Sequence, residues 1–285
     1  MTVLVAGASG TTGSEVLAQL VAAGVDVRAM SRSKEKAAAL RGPGVEAVVA
    51  TYDDPPSLAA AFEGVGAAYV VTSARSDMAE IEGAFARAAA DAGAHLVKLS
   101  VVGADRGSPL RFNRAHAETE ATIEALGGSW TFVRPGGFMQ NDLAWAAQVP
   151  SGTIAAPVVD AAWSIVDVRD IAAVAVAALT DPATHAGRPI TVTGPEPRTP
   201  RDRVAALAEI LGRELTVVDV PIDAAKEQLR SYGLDDWTVD GLGELFAFYA
   251  SGGAAGVSPD AEAVLGRPPR RWEDFAADHA AAFTG

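Results

Sequence analysis

The segment Thr2-Val3-Leu4-Val5-Ala6-Gly7-Ala8-Ser9-Gly10-Thr11-Thr12-Gly13 contains the features that decide the fold. Its apolar run is typical of a buried parallel strand, and it leads through three glycines into a helical pattern. Glycines here allow a tight turn, close approach of the backbone to a pyrophosphate, and close packing of helix on strand. The helix start also presents free N–H groups to an anion. Gly7, Ser9, Gly10, Thr11, Thr12 and Gly13 are therefore predicted to bind a dinucleotide.

Strand and helix patterns alternate over the first two-thirds of the 285-residue chain. Parallel strands joined by right-handed helical connections build a doubly wound sheet, so the sequence predicts an α/β fold of Rossmann type. The predicted strands are Thr2–Ala6, Val25–Met30, Val45–Ala50, Ala67–Val71, His95–Leu99 and Trp130–Arg134. The predicted helices are Thr12–Ala23, Lys34–Leu40, Ser57–Phe62, Met78–Ala92 and Asn113–Leu126.

Composition narrows the classes of protein and ligand. Lys and Arg number 23 and Asp and Glu number 36, which gives a formal net charge of −13. Such a surface repels nucleic acid and anionic lipid, and we expect neither as a partner. The chain has no Cys, which excludes disulfides and thiolate-ligated metals. We expect no signal peptide and no membrane span, because no apolar run reaches roughly 20 residues. A cytoplasmic location is predicted.

The end of the second predicted strand reads Met30-Ser31-Arg32-Ser33-Lys34-Glu35-Lys36. NAD-binding Rossmann domains usually place an acidic residue here, on the ribose hydroxyls. Arg32 instead offers a forked set of donors to a 2′-phosphate, with Ser31 and Lys36 beside it. The sequence therefore predicts NADP(H) as the cofactor. The alternative is a solvated basic start of the next helix.

The last third of the chain changes character, with Pro and Gly clustered in Gly187–Pro200 and Ser251–Pro259. We predict an NADP(H)-binding Rossmann domain over residues 1–150, to which residues 160–185 return. Residues 186–285 are predicted to form a smaller, mostly helical substrate-binding or cap region. Its predicted helices are Arg201–Leu211, Asp223–Ser231, Val239–Ala250 and Trp272–Phe283, and its predicted strands are Pro189–Thr193 and Leu215–Val218.

The Tyr and Lys pair of common short-chain dehydrogenases is absent, since none of the four Tyr has Lys four residues later. In its place, on the helix before the sixth strand, stand His116 and Glu120. Their spacing of four puts them on one helix face, where Glu120 is expected to orient His116 as a donor to a substrate oxygen. Ser100, after the fifth strand, is the third predicted catalytic residue. The alternative for His116 and Glu120 is a polar helix face with an ion pair.

Further cofactor contacts are predicted at the ends of later strands. Thr72 and Ser73 follow the fourth strand, where a cofactor ribose is expected to pass. Lys98 is either a residue of the cleft or a side chain that reaches out to solvent. Phe138 is expected to cover the nicotinamide ring, or else to be a core aromatic beside a Pro-Gly turn. The four His show no metal-ligand spacing, so no metal site is predicted.

Together these segments resemble the NmrA-like branch of the atypical short-chain dehydrogenases and reductases, in particular its bacterial NADPH-dependent quinone oxidoreductases and triphenylmethane reductases. The resemblance covers nearly the whole chain. It is carried by Gly7 to Gly13, Tyr52-Asp53-Asp54-Pro55, Val97-Lys98-Leu99-Ser100, His116-Ala117-Glu118-Thr119-Glu120 and Arg134-Pro135-Gly136-Gly137-Phe138.

That resemblance implies an NADP(H)-bound Rossmann domain, a small C-terminal domain, and hydride transfer to quinone-like or other conjugated acceptors. It also implies cofactor contacts from Tyr52, Thr72, Lys98 and Phe138, besides the glycine loop and Arg32. A homodimer is an expectation at the level of the family only. The chain departs from the family at Ala50-Thr51, where relatives usually have Gly-Asp before the Tyr, so an Asp near the adenine is missing. Two alternatives stay open: a redox-sensing regulator that binds NADP(H) without turnover, and a dedicated biosynthetic reductase or isomerase.

Overall fold

The computed structural model describes residues 1–284, which form two compact units. Unit 1 contains residues 1–108, 112–134 and 168–191. Unit 2 contains residues 109–111, residues 135–167 and the described chain from residue 192 onward. Both units are therefore built from separate stretches of the sequence.

The strands and helices have the following bounds. The strands are β1 (Thr2–Ala6), β2 (Val27–Ser31), β3 (Val45–Val49), β4 (Val65–Val70), β5 (His95–Leu99), β6 (Trp130–Pro135), β7 (Gly137–Phe138), β8 (Thr153–Ala156), β9 (Trp163–Val166), β10 (Arg188–Val192), β11 (Pro197–Arg198) and β12 (Thr216–Asp219). The α-helices are α1 (Thr11–Ala22), α2 (Lys34–Leu40), α3 (Pro55–Ala61), α4 (Met78–Asp91), α5 (Arg111–Ala125), α6 (Val168–Thr180), α7 (Pro182–His185), α8 (Pro200–Leu211), α9 (Ile222–Ser231), α10 (Asp236–Ala250), α11 (Asp260–Leu265), α12 (Trp272–Asp278) and α13 (Ala280–Thr284). Two 3₁₀ segments, Met139–Ala147 and Val149–Ser151, follow β7.

A seven-stranded sheet forms the centre of unit 1, in the order β10-β6-β5-β4-β1-β2-β3. The pairs from β3 across to β6 are all parallel. The strand order reverses between β1 and β4, and the carboxyl ends of parallel strands on either side of such a point form a crevice for ligands. The predicted doubly wound α/β fold is confirmed.

The core of unit 1 lies on both faces of this sheet, which explains why its strands are almost continuously apolar. Leu4, Phe85 and Phe132 belong to one buried cluster, each with no more than 1% of its surface exposed. Helix α6 packs against α1 and buries Ile171 and Val174. Burial of each such side chain stabilises the fold by about 1.5–3 kcal/mol.

The domain boundaries differ from the prediction of 1–150 with 160–185. Residues 135–150 and 160–167 belong to unit 2, and β10 is an edge strand of the sheet in unit 1, although it was predicted to lie in the cap region. The physical reason lies in Pro135 and Gly136, where β6 ends and the chain leaves the sheet. Ile190 and Val192 are buried, so the alternating pattern of β10 suits a sheet strand.

Unit 2 is mostly helical, as predicted, but contains two small sheets of short strands, β11-β9-β7 and β12-β8. Its core includes Met139, Trp145 and Phe275. A buried ion pair crosses this core, because Arg203 donates to both carboxylate oxygens of Asp142 at 2.7 and 2.5 Å. Within residues 1–284 no helix combines the length and the apolar character that a membrane crossing requires.

Candidate functional site

The glycine loop between β1 and α1 needs two of its glycines for its own packing. Gly7 has a φ of +77°, and a Cβ there would lie 2.6 Å from Cγ1 of Val71. A Cβ on Gly13 would lie 2.1 Å from the carbonyl oxygen of Gly7, well inside contact distance. Gly7 and Gly13 therefore hold the start of α1 tightly against the end of β1, as the sequence predicts.

Gly10 is different, because its own chain hardly restricts it. Its backbone has φ −88° and ψ 172°, which any residue adopts, and a Cβ would meet only the Gly7 carbonyl oxygen, at 3.3 Å. Gly10 is exposed and is the N-cap of α1, and no side chain caps this 12-residue helix. Ser9 and Thr11 are exposed and Thr12 is buried. Glycine at position 10 therefore leaves the positive end of α1 open to an anion.

The carboxyl end of β2 presents a basic side chain to solvent. Arg32 is exposed and makes no ion pair with any carboxylate of residues 1–284, and Lys36 is also exposed. The hydroxyl of Ser33 accepts a hydrogen bond from the Lys36 amide at 3.2 Å and so caps α2. Ser31 is half-buried and accepts from the Ser33 amide at 3.4 Å. These residues suit a 2′-phosphate, because the cap holds the turn in place and the Arg32 guanidinium has no ion-pair partner among residues 1–284.

Tyr52 and Thr72 lie at the ends of β3 and β4. The Tyr52 ring packs edge-on against Phe85 with ring centroids 6.2 Å apart. Burial, and then the negative charge of Glu82, raise the pKa of Tyr52 to about 12, so its hydroxyl keeps its proton. Thr72 donates to Oε1 of Glu82 from both its amide, at 3.1 Å, and its hydroxyl, at 2.7 Å. Ser73, next to it, is exposed.

Lys98 lies inside unit 1, on β5, with no exposed side-chain surface, so its side chain does not reach out to solvent. Its ammonium lies 2.9 Å from Oε2 of Glu82, whose side chain is 1% exposed. Glu82 on α4 was not among the predicted site residues, although its position in the helix indicates a buried charge. It occupies the buried stripe of that helix together with Met78, Phe85 and Ala89, where a carboxylate requires a partner.

His116 on α5 faces Lys98, with Nδ1 3.1 Å from the lysine Nζ. The ring is half-buried, and Nε2 forms no hydrogen bond with residues 1–284. Burial, and then the charge of Lys98, hold the pKa of His116 well below its usual 6.5. The imidazole is therefore neutral at physiological pH.

Glu120 does not orient His116, which corrects the prediction from their spacing. Its carboxylate accepts instead from the Ser100 hydroxyl at 2.5 Å and from the Arg134 guanidinium at 2.9 and 2.5 Å. The fork of Arg134 matches both carboxylate oxygens, which a neutral imidazole cannot do. The Ser100 hydroxyl therefore donates its proton to Glu120 and keeps only its lone pairs for a further partner.

Phe138 belongs to unit 2, where it is half-buried in β7 and pairs with Val166 of β9. Beside it, Trp163 stacks on Tyr249 with ring centroids 4.5 Å apart, and Arg203 lies over the Trp163 ring. Of the predicted site residues, unit 1 brings Thr72, Lys98 and His116 into one contact network through Glu82, and Ser100 and Glu120 into another.

Both the sequence and the fold of this chain match those of known proteins. A family model described as the NmrA-like family matches residues 1–276. The chain belongs to the NmrA-like family. The resemblance found in the sequence is thereby confirmed. This NmrA-like chain is 36% identical to the NAD(P)H azoreductase of Xenophilus azovorans, over 99% of both chains.

A second relative is the (4-alkanoyl-5-oxo-2,5-dihydrofuran-3-yl)methyl phosphate reductase of Streptomyces griseus. It is 39% identical, again over 99% of both chains. Among solved structures, the NADPH-dependent quinone oxidoreductase of Escherichia coli, crystallised with NADPH, superposes with a TM-score of 0.86. That protein is 26% identical, and the match covers 98% of this NmrA-like chain and 99% of the other.

Proposed function

We propose that this chain is an NADP(H)-dependent oxidoreductase that transfers hydride to a quinone-like or other conjugated small-molecule acceptor. The observation that carries the proposal is the open helix start at Gly10. The chain itself restricts this position far less than Gly13, because the φ of Gly10 is ordinary and a Cβ there would make one tight contact, 3.3 Å from the carbonyl oxygen of Gly7. A bound phosphate that needs close backbone approach supplies the missing reason.

The end of β2 favours NADP(H) over NAD(H). The exposed Arg32 has no carboxylate partner among residues 1–284, and no acidic residue occupies the end of the strand. A guanidinium in this position binds the 2′-phosphate that only NADP(H) carries. The names of two relatives, the azoreductase and the quinone oxidoreductase, agree with a reduced nicotinamide cofactor.

The acceptor is inferred from what the relatives reduce. Their names give an azo compound, a quinone and an unsaturated lactone phosphate. In each of these, addition of hydride places negative charge on an oxygen or nitrogen of a conjugated system. Such electron-poor acceptors need a well-placed hydrogen-bond donor more than a strong acid, which agrees with the missing Tyr and Lys pair.

His116 is the donor that unit 1 offers. When bound, NADPH supplies a hydride, which adds two electrons and one hydrogen to the acceptor and leaves NADP⁺. The neutral imidazole of His116 donates from Nε2 to the atom that gains negative charge, and water delivers the proton that completes the reduction. Ser100 accepts a hydrogen bond from cofactor or substrate, because its own proton is held by Glu120.

The test is oxidation of NADPH by the purified protein with quinones, azo dyes and unsaturated lactones with and without a phosphate. NADH replaces NADPH in the first control, and the Gly10→Val variant replaces the wild type in the second. Turnover with a preference for NADPH is expected in at least one class of acceptor. Tight binding of NADPH without turnover of any acceptor would contradict the reductase proposal and favour a redox sensor.

A cytoplasmic location and a homodimer are proposed together with the activity. Fractionation of cells and sedimentation equilibrium of the purified protein test them in turn. The 39% identity to the lactone phosphate reductase favours a dedicated biosynthetic substrate as the second candidate. A kcat/KM at least a hundredfold higher for one lactone than for any simple quinone would select that candidate.

A further inference from the structure

The starting point is a buried ion pair that the proposed chemistry does not use. Lys98 on β5 and Glu82 on α4 lie within unit 1 with 0% and 1% of their side chains exposed. An ion pair this deeply buried seldom adds to stability, since both charges lose their hydration. Its presence therefore calls for another role, which its contacts supply.

Three acceptor groups surround the Lys98 ammonium. An ammonium carries three N–H donors and has no acceptor of its own. In this structure the Nζ lies 2.9 Å from Oε2 of Glu82, 2.9 Å from the carbonyl oxygen of Leu99 and 3.1 Å from Nδ1 of His116. The contact with Glu82 is an ion pair, since its Oε2 accepts no aligned hydrogen bond within residues 1–284. Neither the carboxylate nor the carbonyl can donate, so of the three neighbours only the imidazole could point a proton at Nζ.

These contacts determine which ring nitrogen of His116 carries a proton. An atom that accepts from an ammonium cannot itself carry a proton, so Nδ1 is bare. The single proton of a neutral imidazole then resides on Nε2, which forms no hydrogen bond with residues 1–284. A doubly protonated ring would place an N–H against the ammonium, which both sterics and charge oppose.

We propose that Lys98 and Glu82 are positioning residues that lock His116 as the neutral tautomer with its proton on Nε2. Glu82 completes the arrangement because its other oxygen holds the amide and hydroxyl of Thr72 at the end of β4. One ion pair thus sets both the proton donor and the neighbouring strand end. Lys98 then acts through His116 and does not contact the cofactor. The use of this donor in catalysis rests on the proposed function, but the tautomer does not.

The first experiment reads the tautomer directly. Histidine labelled with nitrogen-15 gives distinct NMR signals for protonated and bare ring nitrogens. The chain has four His, and the His116→Gln spectrum assigns the signals of interest. In the wild type at neutral pH we expect Nε2 protonated and Nδ1 bare, both with and without NADP⁺. A proton on Nδ1, or on both nitrogens, would overturn the proposal.

The second experiment tests whether Lys98 is the cause. In Lys98→Met/Glu82→Met both charges leave together, and the signal of the tautomer with Nδ1 protonated is expected to appear. Glu82→Gln is a milder variant that keeps the hydrogen-bonding shape. In that variant Lys98 stays opposite Nδ1, so the Nε2 tautomer is expected to persist, which separates the effect of Lys98 from that of Glu82. Retention of the Nε2 tautomer alone in the folded double variant would refute the role of Lys98.

Kinetics separate a positioning role from cofactor binding. With an acceptor that the wild type reduces, we expect Lys98→Met/Glu82→Met to lower kcat roughly tenfold to a hundredfold. The Kd for NADPH is expected to change far less than kcat, because Lys98 reaches the cofactor only through His116 and Glu82 only through His116 and Thr72. A large loss of NADPH affinity with unchanged kcat would contradict the proposal. If no acceptor is reduced by any form, the proposed function fails while the NMR test still decides this one.

Discussion

Nζ of Lys98 and Oε2 of Glu82 are 2.9 Å apart, and solvent reaches almost none of either side chain. Loss of one partner leaves the other as an unpaired buried charge. Lys98→Met is therefore expected to lower the free energy of unfolding by roughly 3–5 kcal/mol. Lys98→Met/Glu82→Met is expected to cost clearly less, although Thr72 loses its acceptor.

Urea unfolding of the wild type and both variants measures this difference. The matched control is Arg230→Met, which breaks a pair with Asp236 that is 43% and 82% exposed. That change is expected to leave the free energy of unfolding nearly unchanged, because solvent screens an exposed pair. A double variant that is no more stable than Lys98→Met would show that charge burial is not the main effect.

The preference for NADPH is predicted to reside in Arg32. Arg32→Ala removes the forked donors to the 2′-phosphate, so the Kd for NADPH should rise about tenfold or more while that for NADH hardly changes. Fluorescence titration with both cofactors measures the two constants. Arg41→Ala, at the other end of α2, removes an exposed Arg of the same helix and serves as the control. Equal losses for both cofactors would remove Arg32 from the 2′-phosphate site.

The glycine loop predicts opposite effects at two of its positions. Gly10→Ala is expected to weaken dinucleotide binding and to destabilise the fold far less than Gly13→Ala, because its Cβ makes one tight contact, at 3.3 Å. Gly13→Ala is expected to destabilise the protein by several kcal/mol, since its Cβ would lie 2.1 Å from the Gly7 carbonyl oxygen. Calorimetry with and without NADP⁺ separates the two effects.

Gly42→Ala is the control for both, because nothing lies within 4 Å of the added Cβ. Undiminished affinity in Gly10→Ala, and in the bulkier Gly10→Val, would mean that no phosphate approaches this helix start.

The pH dependence of turnover tests how His116 works. Burial and Lys98 lower the pKa of His116 well below 6.5, so the ring is neutral between about pH 6 and 8. An imidazolium acid loses its proton as the pH rises through its pKa, and the rate then falls. A neutral donor has no such loss, so kcat should be flat across this range. His116→Phe should lower kcat about tenfold to a hundredfold without a change in NADPH affinity. A fall in wild-type kcat with an apparent pKa near 6.5, absent in His116→Phe, would argue for acid catalysis.

Acid stability is predicted to depend on His95 at the start of β5. Its ring nitrogens contact the hydroxyls of Ser129 at 2.7 Å and Thr131 at 3.2 Å. Burial, and then the nearby His185, lower its pKa from 6.5 to about 4. The unfolded chain therefore binds this proton first, and stability is lost as the pH falls from 6.5 towards 4. The contribution amounts to about 3 kcal/mol.

Urea unfolding between pH 7.5 and 4 should thus show a shallower decline in His95→Gln than in the wild type. Parallel curves for His95→Gln and wild type would assign the acid sensitivity to other groups.

The sequence predicts the Rossmann fold well because its signals are local and repeated. Each strand is an apolar run, and each helix has its own apolar stripe. The division of the chain near residue 150 is hard to predict for the opposite reason. β7 and β9 contain two and four residues, too few for a periodic pattern, and β10 returns to the sheet after a long excursion. Pairing between strands that are distant in the sequence produces no local sequence pattern from which it could be predicted.

Within the candidate site, positions are easier to predict than partners. His116 and Ser100 lie near the ends of strands and helices that the pattern locates. The partner of Glu120 does not follow from spacing, since Arg134 takes its carboxylate although His116 is only four residues away. The partner of Glu82 is equally hard to predict, because a single carboxylate in an apolar stripe does not indicate which residue pairs with it.

The three-part construction of unit 1 has a consequence for synthesis on the ribosome. Chains are made from the N-terminus, and domains generally fold in that order as they emerge. Here α1 emerges early, but α6, which packs against it, emerges only after residues 135–167 of unit 2 have been made. The nascent chain therefore carries an uncovered apolar helix face through that interval, and its dinucleotide loop gains its final support only when translation has passed residue 180.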